Sequence, residues 1–305
     1  MKSFITKKTK SSRSLYQIST LVTGDNKTKS GFTLVEVMLV LGIAGLMMIG
    51  LIGGTFTAIA RQRYNDSVYD FADFLERAYS EAASPKTVGN GNSGEIILGK
   101  VLVFGHEYTG DADATRSVYT ATLIGDNKSL SSLDPNATFM EELVDEDTAA
   151  RLYCGSSSGG EEIQSSVQYY TPLWQDELKQ ATDTPDYGAY RAQYDDPFKG
   201  TIIIARMPSS AVVHTVYTPG KTYNLRDNCT PTNHSVNTAF QSDLEKQADG
   251  EVIYHINQPV GICIKSDNSA VTREIRLAAD GRNSSAIWVR NTDASEDGDP
   301  NRCQL

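Results

Sequence analysis

From Val37 to Ala60 the chain runs for 24 residues without a charged side chain. As a helix rising ~1.5 Å per residue, such a run spans about 36 Å, enough to cross a bilayer core of ~30 Å. One carboxylate, Glu36, stands at its start. A lone charge in a membrane helix costs roughly 2.5–3.5 kcal/mol at the centre and less near an end, so Glu36 needs an explanation. Before the run lie Lys2, Lys7, Lys8, Lys10, Arg13, Lys27 and Lys29 against Asp25, a net +6. Positive residues ahead of a membrane run place the N-terminus in the cytoplasm and the C-terminal bulk outside.

The stretch Gly31-Phe32-Thr33-Leu34-Val35-Glu36, followed by the apolar run, resembles the N-terminal signature of type IV pilins and type II secretion pseudopilins. The resemblance implies cleavage after Gly31 by a prepilin peptidase and methylation of the new terminal amine on Phe32. It also implies that Glu36 pairs with the terminal amine of a neighbouring subunit during assembly. The physics agrees, because a carboxylate buried in lipid becomes tolerable when a cationic amine meets it there. Residues 1–31 then read as a leader with no fold of their own.

The chain has 305 residues, and cutting after Gly31 leaves 274, ample for one globular domain with large insertions. The whole chain has a formal charge of −10, of which the leader holds +6, leaving −16 for the rest. So acidic an exported part argues against passive binding to nucleic-acid phosphates, which needs clustered Lys and Arg. Cys154, Cys229, Cys263 and Cys303 all fall on the exported side, where an even count reads as disulfides. Four cysteines allow three pairings, and spacing does not choose among them. The resemblance to pilins, which often tie the C-terminal segment back to the sheet, implies Cys229 with Cys303. No Cys-x-x-Cys occurs, and His106, His214, His234 and His255 lack ligand spacing, so no zinc site is expected.

Beyond Ala60 the helix is expected to continue in water. Val68, Phe71, Ala72, Leu75, Ala78, Tyr79 and Ala82 recur at three- and four-residue spacing, forming one apolar face for a sheet to cover. Ser84-Pro85 ends it, since proline disfavours helical geometry in the residue before it. Gly42, Gly45, Gly50, Gly53 and Gly54 would permit close helix approach, and Gly53-Gly54 is the weakest point of the run.

The remainder reads as β, with strands at Glu95–Phe104, Ser117–Ile124, Ser166–Tyr170, Thr201–Arg206, Ala211–Tyr217, Val252–Ile256, Val260–Lys265, Thr272–Leu277 and Ala286–Arg290. Pro219-Gly220 and Asp280-Gly281 suggest hairpins, and Thr238–Gln247 a short helix. From about 126 to 200 the pattern is irregular, as in long surface insertions. The last strands, with Arg273-Glu-Ile-Arg276 leading to Asp280-Gly281-Arg282, loosely resemble the C-terminal end of GspH- and FimT-like minor pilins.

Other motifs are weaker. Gly89-Asn-Gly91-Asn-Ser-Gly94 has dinucleotide spacing but follows a helix and precedes a strand, the wrong order for cradling a phosphate. Gly155-Ser156-Ser157-Ser158-Gly159 matches the hydrolase elbow, yet the run is low in complexity and reads as a solvated loop. Asp145-Glu146-Asp147 and the group Asp293, Glu296, Asp297 and Asp299 could offer hard oxygen ligands to calcium. Neither has EF-hand spacing, and hydrated acidic loops are the favoured reading. Tyr169, Tyr170, Trp174, Tyr187, Tyr190 and Tyr194 gather in one stretch, suited to packing an insertion or to recognising a ligand. Asn65, Asn127, Asn136, Asn233 and Asn283 begin N-x-Ser/Thr triplets.

Together these readings predict an α+β, pilin-like fold: a long N-terminal helix, half membrane-spanning and half amphipathic, packed on an antiparallel β-sheet. The expected divisions are a leader (1–31), a transmembrane assembly helix (32–60), an amphipathic extension (61–84) and an extracytoplasmic β-rich domain (85–305). The expected role is a minor or tip subunit of a type IV pilus serving adhesion or motility. It is non-enzymatic and cofactor-free, passing from the cytoplasmic membrane to an extracellular fibre. Its partners would be other pilin subunits, the prepilin peptidase, the membrane and a surface or host ligand, with no nucleic acid. A secretion pseudopilin is the nearest alternative. A membrane-anchored hydrolase with Ser157 as nucleophile is the alternative of another class.

Overall fold

The computed structural model describes residues 32–84, 95–105, 117–126, 138–146, 148–155, 167–173, 177–180, 198–207, 209–210, 212–248, 255–256, 259–265, 273–277 and 287–291. Their elements run α1 (Leu34–Ala83), β1 (Glu95–Phe104), β2 (Val118–Asp126), α2 (Phe139–Val144), β3 (Arg151–Tyr153), β4 (Val167–Tyr170), β5 (Glu177–Gln180), β6 (Gly200–Arg206), β7 (Val213–Pro219), α3 (Leu225–Asn228), α4 (Ser235–Ala248), β8 (His255–Ile256), β9 (Val260–Lys265), β10 (Arg273–Leu277) and β11 (Ile287–Asn291). Each strand expected from the sequence is present over the residues described, its described ends within two residues of those expected; Ser166, Ala211, residues 252–254, Thr272 and Ala286 of the expected strands lie outside the described residues. The chain divides into two units, Met1–Gly53 and Gly54–Leu305.

In the first unit the side chains from Phe32 to Gly53 are exposed, apart from half-buried Ala44. A helix so apolar and so bare finds no core within its own unit, and α1 is long and apolar enough to cross a membrane.

The second unit is layered. One sheet has the strand order β3-β2-β1-β6-β7-β8 with β4 also on β2, and a second has the order β11-β10-β9-β5; all pairings are antiparallel. The later half of α1 packs on both. Every residue of the expected apolar face, from Val68 to Ala82, is buried, joined by Tyr64 and Ser67. It meets Leu102, Phe104, Ile202 and Ile204 of the larger sheet and Ile262, Ile264, Ile275 and Leu277 of the smaller. This is the expected architecture of a long N-terminal helix on antiparallel sheet.

The opposite face of the larger sheet is also covered. Val101, Val103, Ile203, Ala205 and Val216 pack there with Phe139, Met140 and Leu143 of α2 and Val236, Phe240 and Leu244 of α4. The continuous apolar run of β6, Ile202 to Ala205, fits this arrangement, since a strand buried on both faces needs no alternation. The β1–β2 ladder shifts register between Ile97 and Gly99, leaving Leu98 as the extra residue. Such a bulge reverses the alternation. It lets Ile96 and Leu98 before it share the α2/α4 side with Val101 and Val103 after it. At Gly99 itself an added Cβ would lie 2.0 Å from the Ile204 carbonyl oxygen, so the close β1–β6 approach requires glycine.

Polar contacts pin α1 to its cover. The Tyr64 hydroxyl donates to the Ile264 carbonyl at 3.0 Å, and Ser67 Oγ to the Leu173 carbonyl at 3.1 Å. Tyr170 donates to Asp70 at 2.7 Å, Lys100 pairs with Glu81 at 2.9 Å, and the Tyr79 hydroxyl bonds Thr215 Oγ1 in the core. Burial pushes the Tyr79 phenol up to about 12.

Two expectations are corrected. Cys229 is bonded to Cys154, not to Cys303. The bond ties the residue after β3 to the C-cap of α3, inside the core beneath α4. Cys263 is disulfide-bonded as well, and Cys303 lies outside the described residues. Pro219-Gly220 ends β7 and leads into α3 rather than turning a hairpin: Gly220 adopts φ +68°, and its N–H donates back to the Lys199 carbonyl at 3.0 Å. Asp280-Gly281 lies outside the described residues, between the antiparallel neighbours β10 and β11.

Candidate assembly and processing site

The start of α1 is built by two side chains. The Thr33 N–H and Oγ1 donate to Glu36 Oε2 at 3.0 and 3.1 Å, and the Glu36 N–H donates back to Thr33 Oγ1 at 3.3 Å. This reciprocal arrangement is a capping box. It satisfies N–H groups that the first helical turn leaves without partners, and sets a negative charge at the positive end of the helix dipole. The first backbone bond, Val37 N–H to the Thr33 carbonyl at 3.2 Å, closes the turn. In the single subunit the Glu36 carboxylate is therefore already engaged by its own helix start. The signal was in the sequence: Thr33-Leu-Val-Glu36 before an apolar run has capping-box spacing.

Phe32 is 82% exposed, one residue before the cap. An amine created on Phe32 would lie one residue before Thr33, whose N–H donates to the Glu36 carboxylate. Gly31, the other processing residue, lies outside the described residues. Gly42, Gly45, Gly50, Gly53 and Gly54 have nothing within 4 Å of where a Cβ would stand.

The other candidates separate. Asp293, Glu296, Asp297, Asp299, Asp147, Ser156, Ser157, Ser158 and Gly89–Gly94 lie outside the described residues. Asp145 is the C-cap of α2. No cluster of three metal-ligating side chains occurs among the described residues.

Tyr170 packs against Phe74 and Phe71, with ring centroids 4.4 and 5.6 Å away, and so serves the α1 interface. Tyr169, 54% exposed, leans on Tyr119 at 5.1 Å. Trp174, Tyr187, Tyr190 and Tyr194 are outside the described residues. Asn233 spends its side chain on its own turn, donating to the Asp227 carbonyl at 2.9 Å and accepting from the Ser235 N–H at 3.1 Å. His214 stacks on Phe139 at 4.8 Å.

Residues 26–52 match the family described as the prokaryotic N-terminal methylation motif. Comparison with curated proteins gives no match, and comparison with solved structures gives none either. The motif is typical of type IV pilins and pseudopilins, which are generally non-enzymatic structural subunits. It implies processing by a prepilin peptidase and assembly with other pilins. With the apolar helix behind it, it points to a membrane-anchored subunit later built into a surface fibre.

Proposed function

We propose that the chain is a minor or tip subunit of a type IV pilus, serving adhesion or motility. Residues 1–31 are its leader, removed by cleavage after Gly31. Residues 32–60 anchor and then assemble the subunit, residues 61–84 carry the helix into water, and residues 85–305 form the exported domain. The new amine of Phe32 is methylated, and Glu36 neutralises the amine of a neighbouring subunit once the helices pack.

The observation that carries this reading is the coincidence of the methylation motif over residues 26–52 with a capped helix that is exposed from Phe32 to Gly53 apart from Ala44. A helix of that composition needs lipid or other helices around it. The second helical layer over the sheet enlarges the exported domain and supports a specialised rather than a bulk subunit.

The test is the intact mass and N-terminus of the protein recovered from its own cells. A chain beginning at N-methyl-Phe32 is expected. A chain that keeps residues before Gly31, or is cut elsewhere, would reduce the anchor to an ordinary signal anchor.

A further inference from the structure

The two faces of the smaller sheet differ in what they bury. Val260, Ile262, Ile264, Ile275, Leu277 and Ile287 join the apolar core on α1. Strand alternation puts Gly261, Cys263, Glu274, Arg276 and Trp288 on the opposite face. The register sets that face in rows: Lys179, Cys263, Glu274 and Arg290 in one, Gly261, Arg276 and Trp288 in the next. Cys263 and Glu274 are buried there, yet Cys263 belongs to neither apolar cluster. Glu274 Oε1 pairs with Arg276 Nε at 3.1 Å, and Gly261, Cys263, Glu274 and Arg276 each engage a further partner. A buried sulfur and a buried carboxylate on an outer face require a cover. Cys263 is disulfide-bonded, and Cys154 and Cys229 bond each other, which leaves Cys303 as the one cysteine of the chain able to reach it.

We propose that the outer face of the smaller sheet is the docking surface of the chain's own acidic C-terminal segment, residues 292–305, strapped there by a disulfide between Cys263 and Cys303. The length suffices. β11 ends at Asn291, Cys303 stands twelve residues later, and β9 lies two strand spacings away, about 10 Å, whereas twelve extended residues span about 40 Å. The charges are complementary. The segment holds Asp293, Glu296, Asp297 and Asp299 against Arg302, and the face holds Lys179, Arg276 and Arg290 against Glu274. The acidic group thus finds its counter-charge within the chain. Forming the bond takes two electrons and two protons from the two thiols, which a disulfide-bearing oxidant accepts by exchange, becoming a dithiol. The strap therefore closes outside the reducing cytoplasm. That timing rests on the membrane-anchored reading above, and the strap itself does not.

The test uses the full chain from Phe32 in a neutral detergent. A peptide map without reduction should recover Cys263 and Cys303 in one linked fragment. Cys303→Ser then leaves Cys263 a lone thiol, and the rate at which a maleimide alkylates it reports the cover. In Cys303→Ser that rate should be about tenfold below the rate in a chain ending at Asn291, and the protection should shrink in high salt. Adding Asp293→Asn/Glu296→Gln/Asp297→Asn/Asp299→Asn to Cys303→Ser should bring the rate up to that of the shortened chain. Cys263 found free or linked to a second copy overturns the proposal. So do equal rates with and without residues 292–305, which would assign the cover to another segment. Protection indifferent to both salt and the four neutralised carboxylates overturns it too. The peptide map uses the unaltered sequence, so the bond is tested even where a variant folds poorly. An unprotected Cys263 in a chain that its own cells cut after Gly31 would sink the strap and leave the proposed function standing. A chain never cut there would sink that function and leave the strap.

Discussion

The carboxamide of Asn237 grips both backbone groups of Leu152: Oδ1 accepts from the Leu152 N–H at 2.8 Å, and Nδ2 donates to its carbonyl at 3.0 Å. Leu152 lies on β3, at the edge of the larger sheet, so one side chain of α4 does there what a further strand would do. An open edge invites pairing with another chain, and covering it is one of the ways proteins prevent that. Asn237→Leu removes both bonds and leaves two backbone groups without partners, each costing roughly 1–3 kcal/mol if they stay dry. A lower denaturant midpoint with an unchanged slope, and faster aggregation, are expected. Stability within error of the parent would show that the grip is incidental.

Gly99 makes a second demand, set by backbone rather than side chain. A Cβ at this position meets the Ile204 carbonyl oxygen at 2.0 Å and Ala205 Cα at 2.7 Å, both rigid neighbours in the next strand. Gly99→Ala should therefore cost more than the ~1–3 kcal/mol typical of overpacking, because no side chain can move aside. Thermal unfolding of the exported domain reads this directly, and an unchanged melting temperature would mean the two strands can part cheaply.

The amphipathic face of α1 was legible because Val68, Phe71, Leu75 and Ala82 recur at helical spacing and face one surface. Strands such as β1 and β9 were legible for the same kind of reason, being short runs of branched apolar residues. The short helix α2 was not, since its six residues are too few to show a period and hold two glutamates. One of these, Glu142, is buried and spends its carboxylate on the Ser209 N–H at 3.2 Å and on the Ser209 hydroxyl, a long-range partnership that no local pattern announces. The α2 half of the second cover over the sheet was thus hidden, whereas its other half, α4, was legible as a short helix at Thr238–Gln247. The pairing of Cys154 with Cys229 was hidden too, because their 75-residue separation is closed by the sheet rather than by sequence spacing.

The disulfide yields its own expectation. Peptide mapping without reduction should recover Cys154 and Cys229 in one linked fragment. Cross-links closing long loops contribute about 2–4 kcal/mol, largely by restricting the unfolded chain. Cys154→Ser/Cys229→Ser should lose stability of that order in denaturant titrations. A double variant as stable as its parent would mean that the packing beneath α4 suffices alone.

Two buried phenols give a pH dependence at the alkaline end. Burial raises Tyr79 from 10.0 to about 12, only partly opposed by its bond to Thr215, and burial raises Tyr217 as well. A phenol whose folded-state value is raised holds its proton more tightly when folded. Its contribution is complete below about pH 10 and is lost as pH climbs through the folded-state value. Stability should fall between about pH 10 and pH 12, and Tyr79→Phe should make that fall shallower. An identical alkaline slope in the variant would mean that Tyr79 ionises as freely in the folded chain as in the unfolded one.

Thr33 and Glu36 separate the two duties that the helix start combines. In the single subunit the Glu36 carboxylate caps its own helix, bonded to the Thr33 N–H and hydroxyl. In the proposed fibre it meets a neighbour's amine. Thr33→Ala removes the hydroxyl but keeps the charge, whereas Glu36→Ala keeps the hydroxyl that accepts from its own N–H and removes the carboxylate, and with it the charge. Loss of an N-cap hydroxyl costs roughly 0.5–2 kcal/mol and should fray the first turn without preventing assembly. Leaving one member of a buried ion pair without its partner costs roughly 3–5 kcal/mol, enough to block assembly. Both variants should insert into the membrane and be cut after Gly31. Only Glu36→Ala should fail to enter fibres, as read by the ratio of sheared to cell-bound protein. Equal loss in the two variants would assign the defect to capping, and unaltered incorporation of Glu36→Ala would end the pairing argument.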